Sequence, residues 1–281
     1  MNIHIITDSA SDIVGNQRPD LTVLPMLITF GETAYRDGVD LTHSEFYEKL
    51  VEGSGLPVTS QITPYDFEEA IDEHLEKGEA VIVITMSGKL SGTNQSALSA
   101  AEGKENVWVV DSENVTVGER ILVELALRRK DAGADVEKIV RELEQVKKRV
   151  RLVALLDTLE YLKKGGRVSA AVAFAGGLLQ IKPVIAIRNG EVAVVGKARG
   201  SKQADNLIAE AVRSAGGVDF EMPYFLGYTG LSDALLKKYA EDNAALWRNG
   251  TEALPIGTVG GTIGTHAGPG AVAVAWVAPE K

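Results

Sequence analysis

The chain has 281 residues, 45% hydrophobic and 24% charged, which suits a globular protein of about two domains and excludes wholesale disorder. Basic residues number 29 against 39 acidic, a formal charge of −10 that is the wrong balance for a nonspecific nucleic-acid binder. With no cysteine, disulfides, thiol nucleophiles and thiolate metal sites are excluded, and a reducing compartment fits.

The opening, MNIHIITDSA, lacks a basic region ahead of an apolar core, so no secretory leader is expected. Residues 3–7, 80–85 and 107–110 are short apolar runs of the kind found in strands covered on both faces, as in a parallel sheet. Helical patterns lie between and beyond them at 64–77, 91–102 and 116–132; Thr63 is a fitting N-cap for the first, with Pro64 at its first position. Residues 23–35, with Gly31-Glu32 in the middle, read as a hairpin, and Thr42-His43-Ser44-Glu45 as a capping box before a short helix. A charged helix over 135–150 serves as the hinge region. Beyond it the expected order is a strand at 151–155, short helices, two facing runs at 182–188 and 191–197, a helix at 201–215, a strand at 224–228, a helix at 232–247 and a strand at 271–277. Asn189-Gly190, between the facing runs, is a strong hairpin signal. The fold expected is α/β in two domains: a parallel-sheet α/β/α domain over 1–150, and an α+β domain with a mixed or antiparallel sheet over 151–281. The most apolar stretches, 170–179 and 271–278, fall short of the about 20 residues a membrane span needs, and a cytoplasmic location is expected.

A parallel sheet binds ligands beyond the carboxyl ends of its strands. Asp8, Ser9 and Asp111 stand at such ends, and read first as caps and turn supports. Residues 57–61 and 89–96 gather hydroxyls near helix starts, which suits either capping or an anion pocket. The glycine-rich segment 257–270 has neither the dinucleotide spacing nor a P-loop lysine, and its His266 suits either a structural role or hydrogen bonding to a ligand. His74, among Asp72, Glu73 and Glu76, reads as a solvated helix residue. No metal-ligand motif is present, so no metal site is expected. The serine-hydrolase elbow is also absent; in its nearest match, 230–234, Ser232 reads as an N-cap.

The segments TDSASD (7–12), VTSQ (58–61), KLSGTNQSA (89–97), LEYLKKGGRVS (159–169), QIKPV (180–184), GKARGSKQA (196–204) and THAGPGA (265–271) together resemble the DegV family. The resemblance implies a bacterial fatty-acid-binding protein whose ligand lies in a tunnel between two domains. It implies that Thr59, Ser60, Ser91 and His266 hold the fatty-acid carboxylate, and that Arg167 and Arg199, near the tunnel mouth, help dock a separate fatty acid kinase subunit. That subunit would phosphorylate the bound carboxylate with ATP, giving an acyl-phosphate. The binding subunit itself needs no ATP site and no cofactor. Residues 170–181 are candidate tunnel walls or ordinary core. Departures from the family pattern are Asn94 in place of an aromatic residue, Arg120 in place of a small one and Gln180 in place of Asn. Arg120 would either point to solvent or shorten and polarise the tunnel, and the acyl chain preferred is left open.

Two other readings use the same residues. One is a stand-alone fatty-acid carrier or sensor with no phosphoryl transfer. The other is a hydrolase built on Ser91 and His266, which requires a nucleophile–base hydrogen bond and an orienting acid.

Overall fold

The computed structural model describes residues 1–14, 18–53, 55–168, 181–199, 201–248 and 250–280. In chain order the first half holds β1 (Ile3–Asp8), β2 (Leu21–Leu24), β3 (Leu27–Phe30), β4 (Thr33–Arg36), α1 (His43–Glu52), β5 (Val58–Ser60), α2 (Pro64–Glu76), β6 (Ala80–Thr85), α3 (Thr93–Ala101), β7 (Val107–Asp111), α4 (Thr116–Asp131) and α5 (Val136–Val146). There follow β8 (Val150–Leu155), α6 (Glu160–Lys164), β9 (Ile181–Arg188), β10 (Glu191–Arg199), α7 (Ser201–Ser214), β11 (Phe225–Tyr228), α8 (Ala234–Asp242), β12 (Ile256–Thr258), α9 (Gly261–Ala267) and β13 (Val272–Val277).

Among the described residues the strands form three sheets: a parallel one in the order β2-β1-β6-β7, a mixed one in the order β10-β9-β8-β13-β11-β12, and a small antiparallel one in the order β4-β3-β5. This is the α/β architecture expected, with a parallel sheet in the first half and a mixed sheet in the second. The apolar runs of β1 and β6 are buried along their whole length, as strands covered on both faces must be. Local chemistry fixes several boundaries. Thr42 and Glu45 close a reciprocal capping box on α1, and Thr63 and Asp66 close another on α2. Asn189 and Gly190 take left-handed φ angles of 51° and 80°, the turn that joins β9 to β10.

Alternation along β8 splits the mixed sheet's core in two. Leu152 and Ala154 face the parallel-sheet half, while Val153 and Leu155 pack with Ile208, Val212 and Leu236 from α7 and α8 on the other side.

Four expectations need correction. The hairpin is shorter than residues 23–35, because Pro25 lacks an N–H and interrupts the run; residues before it join the parallel sheet as β2. Helix α8 starts at Ala234 with Asp233 in the capping position, while the Ser232 hydroxyl accepts the Ala234 N–H at 3.3 Å. The glycine-rich segment folds into β12 and α9 rather than remaining a loop. His74 is buried, its ring centroid 3.3 Å from that of His4, because its acidic neighbours occupy other faces of α2.

Candidate functional site

Between the carboxyl ends of the parallel strands and one face of the mixed sheet lies a narrow cavity. Most of its lining is apolar, and its floor is built by strand register. Gly227 of β11 pairs with Ala273 of β13, Ala273 pairs with Ala154 of β8, and Ala154 pairs with Ile185 of β9. All four residues line the cavity. Three small residues in one transverse row cut a trough across the sheet, because neighbouring strands bring paired residues side by side on the same face.

Helix α9 forms part of the wall and carries Thr262, Ile263 and His266 to the cavity. Its sequence, GTIGTHA, is a poor helix former. Glycine is needed because α9 lies directly on the aromatic residues of α1. A β-carbon at Gly264 would fall 2.7 Å from Phe46 Cε1 and 2.6 Å from the Tyr47 hydroxyl. No side chain of its own caps its first turn. Distant carboxylates do so instead: Asp12 accepts the Gly260 N–H at 2.7 Å, and Asp37 accepts those of Gly261 and Thr262 at 3.1 and 3.0 Å. Asp37 also accepts the Thr262 hydroxyl at 2.6 Å and the Ser9 hydroxyl at 3.2 Å. Asp12 in turn accepts the hydroxyl of Thr116, a residue held at a left-handed φ of 51° at the start of α4. Burial pushes Asp12 up to about 8 and Asp8 up to about 7. Asp8 receives the Met86 N–H at 2.8 Å and that of Ala10 at 3.0 Å, the capping role read for it.

The polar groups form a connected patch. Thr59 Oγ1 lies 3.0 Å from His266 Nε2. The imidazole rests against the backbone of Gly165, where a β-carbon would come within 2.2 Å of Nδ1, and Nδ1 itself is buried without a partner. Arg167 donates to the carbonyls of Gly165 at 2.6 Å and of Leu90, the residue before Ser91, at 3.3 Å. Ser91 Oγ lies 2.9 Å from Thr93 Oγ1 and accepts the Thr93 N–H at 3.3 Å. Thr59, Ser91, Arg167 and His266 all line the cavity. Other polar residues of the lining are engaged elsewhere: Thr116 with Asp12, Thr262 with Asp37, Gln61 with Ser96 and Thr229 with the Ala271 N–H.

Two of the expected site residues stand apart. Ser60 is exposed and not among the lining residues, because side chains alternate along β5 and Thr59 takes the inward face. Arg199 is exposed at the end of β10, where its N–H donates to Gln203 at 2.7 Å. Arg167 is half-buried in the cavity wall rather than projecting from the surface. Arg120 is neither in the lining nor free in solvent: its guanidinium lies 4.5 Å from the centroid of the Phe225 ring and 3.7 Å from Glu124. Asn94 is buried and donates to Thr85 at 2.9 Å. Gln180, and residues 170–180 of the candidate tunnel wall, lie outside the described residues.

His266 would titrate near working pH if free. Burial, assisted by the Arg167 charge, pushes it down to about 4, so a neutral imidazole faces the cavity. Its Nε2 is engaged by Thr59, and no acid orients Nδ1 among the described residues. That is not the base–acid relay a Ser91 hydrolase requires. Gly165, Gly227, Ala154 and Ala273 are site residues that sequence reasoning passes over, since only folding shows what they make room for.

Comparison with known proteins gives a consistent result. The DegV family model matches residues 2–279. A DegV domain-containing protein of Caldanaerobacter subterraneus is 35% identical over 278 residues, 97% of each chain. The structure of a DegV family protein from Thermus thermophilus, described as fatty acid binding, superposes with a TM-score of 0.86 at 34% identity, covering 99% of this chain and 100% of that one. DegV of Bacillus subtilis, solved as a fatty acid binding protein, gives a TM-score of 0.82 at 31% identity, with 99% and 100% covered. Agreement in sequence and in fold over nearly the whole length makes this chain a member of the DegV family.

Proposed function

We propose that the chain binds a long-chain fatty acid, with the acyl chain along the Gly227–Ala273–Ala154 trough and the carboxylate at Thr59, Ser91 and His266. The trough carries this reading: an apolar floor in a cavity lined also by a small set of hydroxyl, imidazole and guanidinium groups suits a molecule with one polar end. Burial of ~15 methylenes contributes roughly 12 kcal/mol before association and ordering costs. The tail therefore supplies affinity, and the polar patch sets orientation. Relatives in Thermus thermophilus and Bacillus subtilis that share the fold are described as fatty acid binding. Residues 1–150 and 151–281 are read as the two domains that close on the ligand, in a cytoplasmic protein.

The bound carboxylate is then presented to a separate kinase subunit. A carboxylate oxygen attacks the γ-phosphorus of ATP, the bond to the departing ADP breaks, and an acyl-phosphate forms. Hydroxyl and neutral imidazole partners orient the carboxylate without the tight bidentate clamp that would make it a poorer acceptor. Arg167 at the cavity and Arg199 on the surface are the candidate docking or phosphate-steering cations. A carrier without this chemistry needs the same pocket; ATP-dependent acyl-phosphate formation with a cognate kinase separates the two.

Mass spectrometry of the purified protein, native and after organic extraction, tests the binding itself. One fatty acid of roughly 14–18 carbons per chain is expected, the size range for which the burial energy above was taken. An empty protein that takes up neither added oleate nor palmitate overturns the reading.

A further inference from the structure

At the opposite end of the parallel sheet, by the amino ends of β1 and β6, three side chains converge that the lipid cavity does not use. His4, His74 and Glu79 each offer one ligand atom, a ring nitrogen or a carboxylate oxygen, and the three atoms lie within 4.8 Å of one another. The carboxylate oxygen is 2.8 Å from His74 Nδ1 and 3.9 Å from His4 Nδ1, the latter too long for a hydrogen bond. We propose that His4, His74 and Glu79 form a binding site for a divalent transition-metal ion of the zinc class.

The donor set is that of a zinc site: two imidazoles and one carboxylate, with room for a further ligand. The Glu79 side chain is 22% exposed while those of His4 and His74 are 4% and 8% exposed, so the carboxylate is the most open of the three to water. Water supplies the remaining ligand. His4 also has the outer support that metal-binding histidines use. Its Nε2 lies 2.8 Å from the Thr22 hydroxyl, and in the tautomer that donates there Nδ1 carries the free lone pair. The rings now stack at 14°, and an imidazole lone pair lies in its own ring plane. Binding therefore requires the stack to splay, with the proton on His74 Nδ1 moving to Nε2 or to solvent. No short motif announces the site, because its ligands come from β1, the end of α2 and the turn after it. The ion would fasten α2 to the sheet in a chain that has no cysteine for the purpose.

The test uses the full chain, stripped with a chelator and titrated with zinc chloride by calorimetry, then with cobalt(II) by absorption. Expected are one tight site per chain, a rise in melting temperature and the intense visible bands of a low-symmetry cobalt site. Glu79→Gln should weaken zinc by more than about tenfold, and Thr22→Val by about 10- to 100-fold, with oleate uptake unchanged in both. Absence of saturable binding to the wild type overturns the proposal. So does zinc affinity that is the same in the wild type and Glu79→Gln, which would place the ion elsewhere. Should Glu79→Gln fail to fold, the wild-type cobalt spectrum decides: six-coordinate, weakly absorbing cobalt rejects the site.

Discussion

Thr59 on β5 and His266 on α9 meet at 3.0 Å between Oγ1 and Nε2, joining positions 207 residues apart in the chain. The bond ties the small antiparallel sheet to the helix that walls the cavity. It also fixes which face of the imidazole a ligand meets. Thr59→Val should cost about 1 kcal/mol of stability, the ordinary net worth of such a bond. Its effect on acyl-phosphate formation should be larger than its effect on oleate affinity, which the tail dominates. His266→Ala should behave likewise. A double-mutant cycle on the kinase-coupled rate that shows no coupling between the two positions would separate them functionally.

The trough makes Ala154 a length gauge. Ala154→Leu adds bulk where Ala273 and Ile185 flank it in register. The variant should fold, with a cost of about 1–3 kcal/mol if the neighbours resist, and should carry shorter acyl chains or none. Extraction and mass spectrometry read the outcome directly. An unchanged lipid profile would mean that the acyl chain runs elsewhere.

Gly264 is a packing glycine. Gly264→Ala drives a methyl group into Phe46 and Tyr47, so α9 must retreat from α1. A destabilisation of about 1–3 kcal/mol is expected, although alanine is the better helix former. Lipid affinity should fall with it, because His266 moves too. A stabilised variant with normal uptake would contradict the close approach of α9 and α1.

The Asp37 carboxylate accepts four hydrogen bonds and donates none. In Asp37→Asn one acceptor becomes an NH2 group facing N–H and O–H donors. The loss should be about 3 kcal/mol, at the upper end for bonds to a charged acceptor. Urea unfolding measures it, and a near-neutral result would show that α9 is capped some other way.

The pH response of stability follows from His266. Its folded-state value is pushed down to about 4 from 6.5. As pH falls through 6.5 the unfolded chain takes up a proton that the folded chain refuses, so stability is lost between pH 6.5 and about 4, and is unaffected by this group above pH 7. The contribution is at most about 3 kcal/mol. His4 is depressed to a similar value and His43 in the same direction, while the raised Asp8 and Asp12 act the opposite way, so the His266 contribution is read as a difference between variants. His266→Gln should therefore lose less stability than the wild type between pH 7 and pH 4.5. Equal losses would mean that His266 is protonated in the fold.

Much of this architecture is written locally. The runs of β1, β6 and β7, the cap at Thr63 and the turn at Asn189-Gly190 each express a short-range rule, and each stands where those rules put it. The resemblance to the family supplied Thr59, Ser91 and His266, which line one cavity. What escaped is non-local. Helix α9 has poor helix formers and borrows its caps from Asp12 and Asp37, more than 220 residues earlier in the chain, so no window around 261–267 reveals it. Ala154, Ala273 and Gly227 are ordinary strand residues until pairing aligns them. His74 looked solvated because charge surrounds it in sequence, whereas the helix turns only that residue toward His4.

The place of α9 and β13 in the chain sets an order of assembly. Strand β13 lies between β8 and β11, and α9 rests on α1 and carries His266. A ribosome makes both after nearly everything they touch. Until they emerge, the mixed sheet lacks an internal strand, the cavity lacks a wall, and the buried carboxylates of Asp12 and Asp37 have no backbone amides to receive. The cavity is complete only once residues 261–277 have been made.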